Sequence, residues 1–275
     1  MASNLSSIGF VFETDTAFEE TMTRLANDAV ARLAAPGGEY AIWRSRTGAE
    51  LWFHLAVADD AAASGGSARQ IVGLTPFFEG TSRVPFGPAD AETRPDDNAF
   101  EGILKAWVAP DAESGVGVYP LALDAVDFAA SRERASESDW TGRVVAFCRE
   151  ARVLDANEEP TALAEGHGLA RQAMIPIGLL TEGQDDPATL AASFEDAADD
   201  GGAFATPLPT VLMTGIIRSA RRLDNEVTGA PFYWLTVDTL EATLDVVADP
   251  ELLNREPVEG ATLETTAWLF ARVLD

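Results

Sequence analysis

The sequence predicts a strand-rich α+β fold, with antiparallel sheets and one N-terminal helix packed on a sheet. Three observations lead there. Apolar residues alternate with period two through much of the chain, which is the pattern of strands. Helical spacing joined to capping chemistry occurs at two places, 17–35 and 187–199. Hydrophobic residues make up 47% of 275 residues, enough to bury a core in one large domain or two ordinary ones.

Ile8 to Phe12 is a short apolar run with strand character. Thr16 and Glu19 have capping-box spacing, a hydroxyl for the third helical N–H and a carboxylate returning to the cap. Phe18, Met22, Leu25, Ala29 and Leu33 follow at helical spacing, so a helix over 17–35 should bury one stripe on a sheet, with Pro36-Gly37-Gly38 ending it. Glu39 to Val57 reads as a hairpin turning at Thr47-Gly48. On its second strand Leu51, Phe53, Leu55 and Val57 share one face, and Trp52, His54 and Ala56 the other. Residues 59–67 are small and acidic and read as a loop. Gln70 to Phe78 is a strand with an aromatic end. Residues 79–98, with Pro85, Pro88 and Pro95, form a long loop of the kind that often carries function.

Phe100 to Ala109 and Gly117 to Phe128 read as strands. Ser131 to Asp139, charged and serine-rich, marks the expected boundary between an α+β domain (1–132) and a strand-rich domain (139–275). The second part opens with a strand from Thr141 to Phe147, with Cys148 at its end. Residues 158–173 are irregularly helical and place His167 between Gly166 and Gly168. Ile175 to Leu180 is strand-like, and Asp186-Pro187 opens the helix over 187–199. Two short echoes, Thr141-Gly142 with Thr214-Gly215 and Glu101-Gly102 with Glu259-Gly260, each place glycine before an apolar strand, but they are too short to define a repeat.

The last stretch, Val211 to Asp275, is the most organised. It runs as a long strand opening at Thr214-Gly215, a turn at Asn225 to Gly229, strands at Phe232 to Val237 and Leu244 to Val247, a Pro- and Glu-rich connection, and a closing strand at Trp268 to Leu274. This order resembles an OB-type small barrel. The resemblance implies a barrel over 211–275 and, as that class allows, a surface for single-stranded nucleic acid built from basic side chains and stacked aromatics. Arg218, Arg221 and Arg222 beside Phe232, Tyr233 and Trp234 are the matching patch.

Charge argues against that use. Forty-five acids against 19 bases give a net charge of −26, and Lys105 is the only lysine. Such a surface repels phosphate backbones and anionic lipid and favours encounter with basic proteins. The first residues carry no basic segment before the apolar run, no run approaches the roughly 20 apolar residues of a membrane span, and one cysteine makes no internal disulfide framework. A cytoplasmic protein is the expectation.

Recognisable catalytic motifs are missing. The lone lysine lies outside any P-loop, and no G-x-S-x-G or H-E-x-x-H occurs. Gly115-Val-Gly117 runs into Pro120 instead of a helix, so it is not a nucleotide loop. Glu195, Asp196, Asp199 and Asp200 are interrupted by Ala197 and Ala198, which breaks the alternation that a calcium loop needs. No metal or cofactor is expected.

Three functions compete. The first is a non-catalytic protein-binding or regulatory role through the acidic surface, for which a neutralising or immunity-type action on a basic partner fits. Phe77, Phe78 and Phe86 either line a groove for it or pin the 79–98 loop to the core, and the second reading is preferred. The second function is single-strand binding through the arginine–aromatic patch. The third is an enzyme using His54 or His167 as its acid–base group. A lone histidine between apolar strand residues, such as His54, is more often a hydrogen-bonded wall residue.

Overall fold

The computed structural model of the protein describes residues 4–57, 69–111, 116–155, 157–161, 168–179 and 208–274. The expected loop at 59–67, the second helix at 187–199, the acidic run at 195–200 and His167 lie outside the described residues. The fold is strand-rich α+β, with one antiparallel sheet and one large mixed sheet.

The N-terminal helix forms but is shorter than its apolar spacing implies. α1 spans Asp15–Asn27, and its cap is Thr14, whose hydroxyl accepts the Ala17 N–H at 3.2 Å, in place of Thr16. It buries Met22, Leu25 and Ala26. The expected continuation to 35 fails because Ala31–Ala35 (β1) pairs antiparallel with Gly38–Arg44 (β2) around Pro36-Gly37. Gly37 takes φ +81°, which suits the second central position of a type II turn after proline. Helix propensity in an alanine-rich run is a weak preference, and ladder pairing overrides it here. Ile8 to Phe12 is also not a strand. Ser6–Ile8 is a 3-10 turn, and the Ile8 and Gly9 carbonyls accept from the Asn225 amide and the Thr228 hydroxyl instead of a ladder.

Ala49–Val57 (β3) and Arg69–Phe78 (β4) complete a four-stranded meander in the order β1-β2-β3-β4. β3 is buried on both faces, from Leu51 to Leu55. Residues 79–98 are not structureless. Val84–Phe86 (β5) pairs with Trp140–Leu154 (β9), and Asp90–Glu92 (β6) pairs with Ile103–Val108 (β7). β7 pairs in turn with Tyr119–Ala125 (β8). The charged segment near 131–139 is helical, α2 at Phe128–Glu137, and the second sheet takes strands from both sides of it. Ile175 ends a short strand, Ala173–Ile175 (β10), and Ile177–Leu179 turns as a 3-10 helix.

The C-terminal strands follow the expected order: Thr210–Asp224 (β11), Pro231–Asp238 (β12), Thr243–Ala248 (β13) and Thr262–Leu274 (β14). They do not close on themselves. Among the described residues β13 meets β9, in parallel, and β9 then pairs with β14 along its whole length. β11 closes the circuit by bending: residues 210–216 pair with β14, and 216–224 pair with β12. The bend falls at Gly215, where a Cβ would come within 2.5 Å of Val237, and at a bulge that leaves Arg218 as the extra residue. The five-strand count of the OB resemblance is therefore met only with β9, which precedes the segment in sequence.

A second five-strand circuit shares the same central pair. β9 meets β5, β5 meets β7, β7 meets β8, β8 runs parallel to β14, and β14 returns to β9. With the short β6 set aside, the two circuits have the same plan: three strands, a helical connection and a fourth strand, with the fourth strands β9 and β14 lent to each other. The register of β9–β14 reads the same from both ends, Thr141 opposite Leu274 and Thr262 opposite Leu154. The two strands also share sequence, TGRVVAFCREARVL and TLETTAWLFARVL. Their one difference in length is taken up at Arg149, the extra residue of a bulge opposite Thr266 and Ala267.

Alternation divides these strands between two cores. Val144, Ala146, Leu269, Ala271 and Val273 line the interior of the circuits. Val145, Phe147, Phe270 and Val247 face the other way, into a layer shared with α1, β2 and β3. Burial on both faces makes runs such as Val144 to Cys148 continuously apolar. No helix among the described residues is long and apolar enough to cross a membrane.

Candidate functional site

His54 sits in β3 where β4 bulges at Val72. It is 1% exposed, and both ring nitrogens are engaged. Nε2 lies 3.2 Å from the Thr75 hydroxyl, and Nδ1 lies 3.2 Å from the Asn98 amide nitrogen and 3.4 Å from Glu101 Oε1. The imidazole stacks on Phe100 at 5.6 Å and meets the edge of Tyr40 at 5.4 Å. The Tyr40 hydroxyl donates to the Phe100 carbonyl at 2.7 Å and accepts the Ala129 N–H, and burial holds its phenol well above the usual range. Desolvation raises the Glu101 carboxyl, but its bonds to His54 and the Asn98 N–H outweigh that and hold it below the usual range. Close approach fixes Gly73: a Cβ there would come within 2.4 Å of the Asn98 amide and 2.5 Å of His54 Nδ1.

A cluster of ion pairs joins the two sheets. Glu50 is fully buried in β3 and receives the Trp52 indole N–H at 2.8 Å and the Arg44 guanidinium. Glu79, just past β4, receives Arg44 at 2.8 Å, Arg272 at 2.8 Å and Arg143. Burial, then the neighbouring Arg272, holds Arg143 below the usual arginine range. The chain after Glu79 is tied down as well. Asp245 on β13 is fully buried and accepts the Thr81 and Ser82 N–H groups at 2.7 and 2.6 Å and the Trp234 indole at 2.8 Å. Gly80 lets it come that near, since a Cβ would lie 2.1 Å from its carboxylate.

The basic and aromatic residues of β11 and β12 do not share one face. Arg218, extra at the bulge, is paired to Asp238 at 2.5 Å. Arg221 opposes Trp234 and lies 5.0 Å over its ring, and Trp234 packs at 5.3 Å on Phe78 beneath the meander. Arg222 opposes Tyr233 one residue along, so that pair points to the other side of the strands. Phe77, Phe78 and Phe86 are fully buried, and Phe86 stacks on Trp140 at 4.5 Å. Phe78 thus meets the arginine–aromatic pairs through Trp234, whereas the side-chain partners of His54 are Tyr40, Thr75, Asn98, Phe100 and Glu101. Cys148 is also buried, which pushes its thiol up to about 12 against a small opposing bond to Thr265. Among the described residues no group of three or more His, Cys, Asp or Glu is placed to hold a metal ion.

Sequence reasoning missed the Glu50–Glu79 cluster. Its one local signal was a glutamate inside an apolar strand, at Glu50. It also missed the N-terminal aromatics. Phe10 stacks on Phe12 with centroids 6.2 Å apart, and Phe12 meets Phe18 edge to face at 5.5 Å, along a surface groove of about 320 Å³ at the start of α1. Comparison with protein-family models, with curated proteins and with solved structures finds no significant match to this chain.

Proposed function

We propose that this is a non-catalytic protein-binding or regulatory protein of the cytoplasm that takes a basic protein partner on its acidic surface, with a neutralising, immunity-type action as the form that fits best. The distribution of compensating charge carries the reading. Arg44, Arg94, Arg143 and Arg272 are engaged with Glu50, Glu79, Asp97 and Asp124, partly or wholly inside the protein. Glu13, Asp15, Glu19 and Glu20 are exposed, and among the described residues none has an ion-pair partner. Unpaired surface carboxylates of one sign accelerate encounter with a cationic surface and select against anionic ones.

The test is capture of partners from a lysate of the source cells on the full-length protein at low ionic strength, followed by purification of whatever elutes with salt. The reading requires a basic protein that rebinds the purified chain, more weakly as salt rises. Recovery of nothing, or of an acidic partner held independently of salt, contradicts it.

A further inference from the structure

The groove at the start of α1 brings aromatic and acidic residues together. Its floor is Phe10, buried against Trp43 with ring centroids 5.8 Å apart. Its walls are Phe12 and Phe18, each half-buried and touching edge to face. Val11 is 54% exposed at the mouth, and Glu13 and Asp15 stand on the rim, exposed and without an ion-pair partner among the described residues. The negative charge continues along the helix through Glu19 and Glu20, where Arg24 is the one base and is paired to Asp28. The backbone beneath is fixed. Asn225 and Thr228 hold the Ile8 and Gly9 carbonyls, and Gly9 could not carry a Cβ without meeting Ala230 O at 2.7 Å. An aromatic concavity on a fixed backbone is preorganised to take an apolar anchor.

Building on the proposed protein-binding function, we infer that this groove is where the basic partner docks, taking an apolar side chain from a segment of Arg or Lys residues whose charges meet Glu13, Asp15 and the acidic face of α1. A phosphate-bearing ligand or an anionic membrane is repelled by the same rim. An uncharged apolar ligand leaves Glu13 and Asp15 unused. Charge complementarity therefore selects an amphipathic cationic peptide segment.

The experiment compares two fluorescein-labelled peptides of equal positive charge, one alternating arginine with leucine and one alternating arginine with serine, by anisotropy against the full-length protein at low salt. The leucine peptide should bind about tenfold tighter, as expected for one anchored aliphatic side chain. Val11→Asp separates the two contributions, because it adds a negative charge while removing apolar surface. If the groove is the site, Val11→Asp weakens the leucine peptide and removes its advantage. If the two peptides bind alike and Val11→Asp strengthens both, the groove is overturned and the general acidic-surface reading stands. If neither peptide binds at low salt, both fail. Sedimentation equilibrium closes the remaining route: a wild-type dimer that Val11→Asp dissociates would put a second copy of this chain in the groove and overturn the inference.

Discussion

Arg143 and Arg272 stand directly opposite each other across β9–β14, and one carboxylate, Glu79, binds both. Like charges in opposed strand positions repel. Here the repulsion is turned into a joint, because Glu79 comes from the end of the meander and so couples that sheet to the central strand pair of the other. At the matching position across the pseudo-twofold of β9 and β14, Arg152 opposes Glu264, and the two pair directly at 3.1 Å. One end of the repeated strand pair thus pairs opposite charges directly, while the other sets two arginines face to face and needs Glu79 from the other sheet to compensate them.

Removing Glu79 should therefore cost more than an ordinary surface ion pair. With side chains 11 to 25% exposed for Arg143, Arg272 and Glu79, a figure of about 2–3 kcal/mol is expected for Glu79→Ala, below the value for fully buried pairs. Urea unfolding measures it. Adding Arg143→Leu to Glu79→Ala should restore part of the loss by removing the uncompensated charge. Strictly additive losses would contradict the joint.

Asp127 gives the pH dependence. It precedes α2 without a side-chain capping bond, is 5% exposed, and accepts the Val273 N–H at 3.2 Å; burial nonetheless raises its carboxyl to about 6. A raised carboxyl binds its proton more tightly in the folded state, so ionisation as pH climbs from about 4 through 6 removes stability, roughly 2–3 kcal/mol in full. Asp127→Asn keeps an acceptor and lacks the charge. It should be the more stable protein near about pH 8, with the gap closing as pH falls toward about 4. Parallel stability curves for the two proteins would rule this out.

Gly73→Ala tests the His54 arrangement. The added Cβ must displace the Asn98 amide or the imidazole, costing about 1–3 kcal/mol. Because the bond to His54 is a main reason the Glu101 carboxyl lies low, the titration midpoint of Glu101, followed by carboxyl NMR, should rise in the variant. An unchanged midpoint would mean that His54 does not set it.

Cys148 should be inert. Its thiol is buried and pushed up to about 12, so a thiol reagent at neutral pH should label it only after denaturant is added. Rapid labelling of the native protein would show that the central strands open.

Much of the fold was legible because strand alternation is local. The β2–β3 hairpin, β4, β7, β8 and the order of β11 to β14 all follow from residue patterns a few positions long. Partner choice is not local. Nothing near Thr141 says that β9 will sit between β13 and β14, although the shared Ala-Arg-Val-Leu at 151–154 and 271–274 was the available clue that these strands are counterparts. The helix expected over 17–35 shows the same limit, since Ala29 and Leu33 keep helical spacing while β2 claims the backbone after Val30. At the level of sites, Glu79 and Arg272 lie far apart in sequence and meet only through sheet register. Arg221 and Arg222 are neighbours in sequence and are sent to opposite faces by that same register.

A basic protein held by exposed carboxylates, as proposed above, should let go as salt rises. The measurement that bears on this most directly is the affinity of the purified, salt-eluted partner for the full-length protein, by calorimetry, from low to physiological ionic strength and beyond. A dissociation constant that rises steeply with salt, and rises further when Glu13, Asp15, Glu19 and Glu20 are neutralised together, is the predicted result. An affinity indifferent to salt and to those four carboxylates would contradict it.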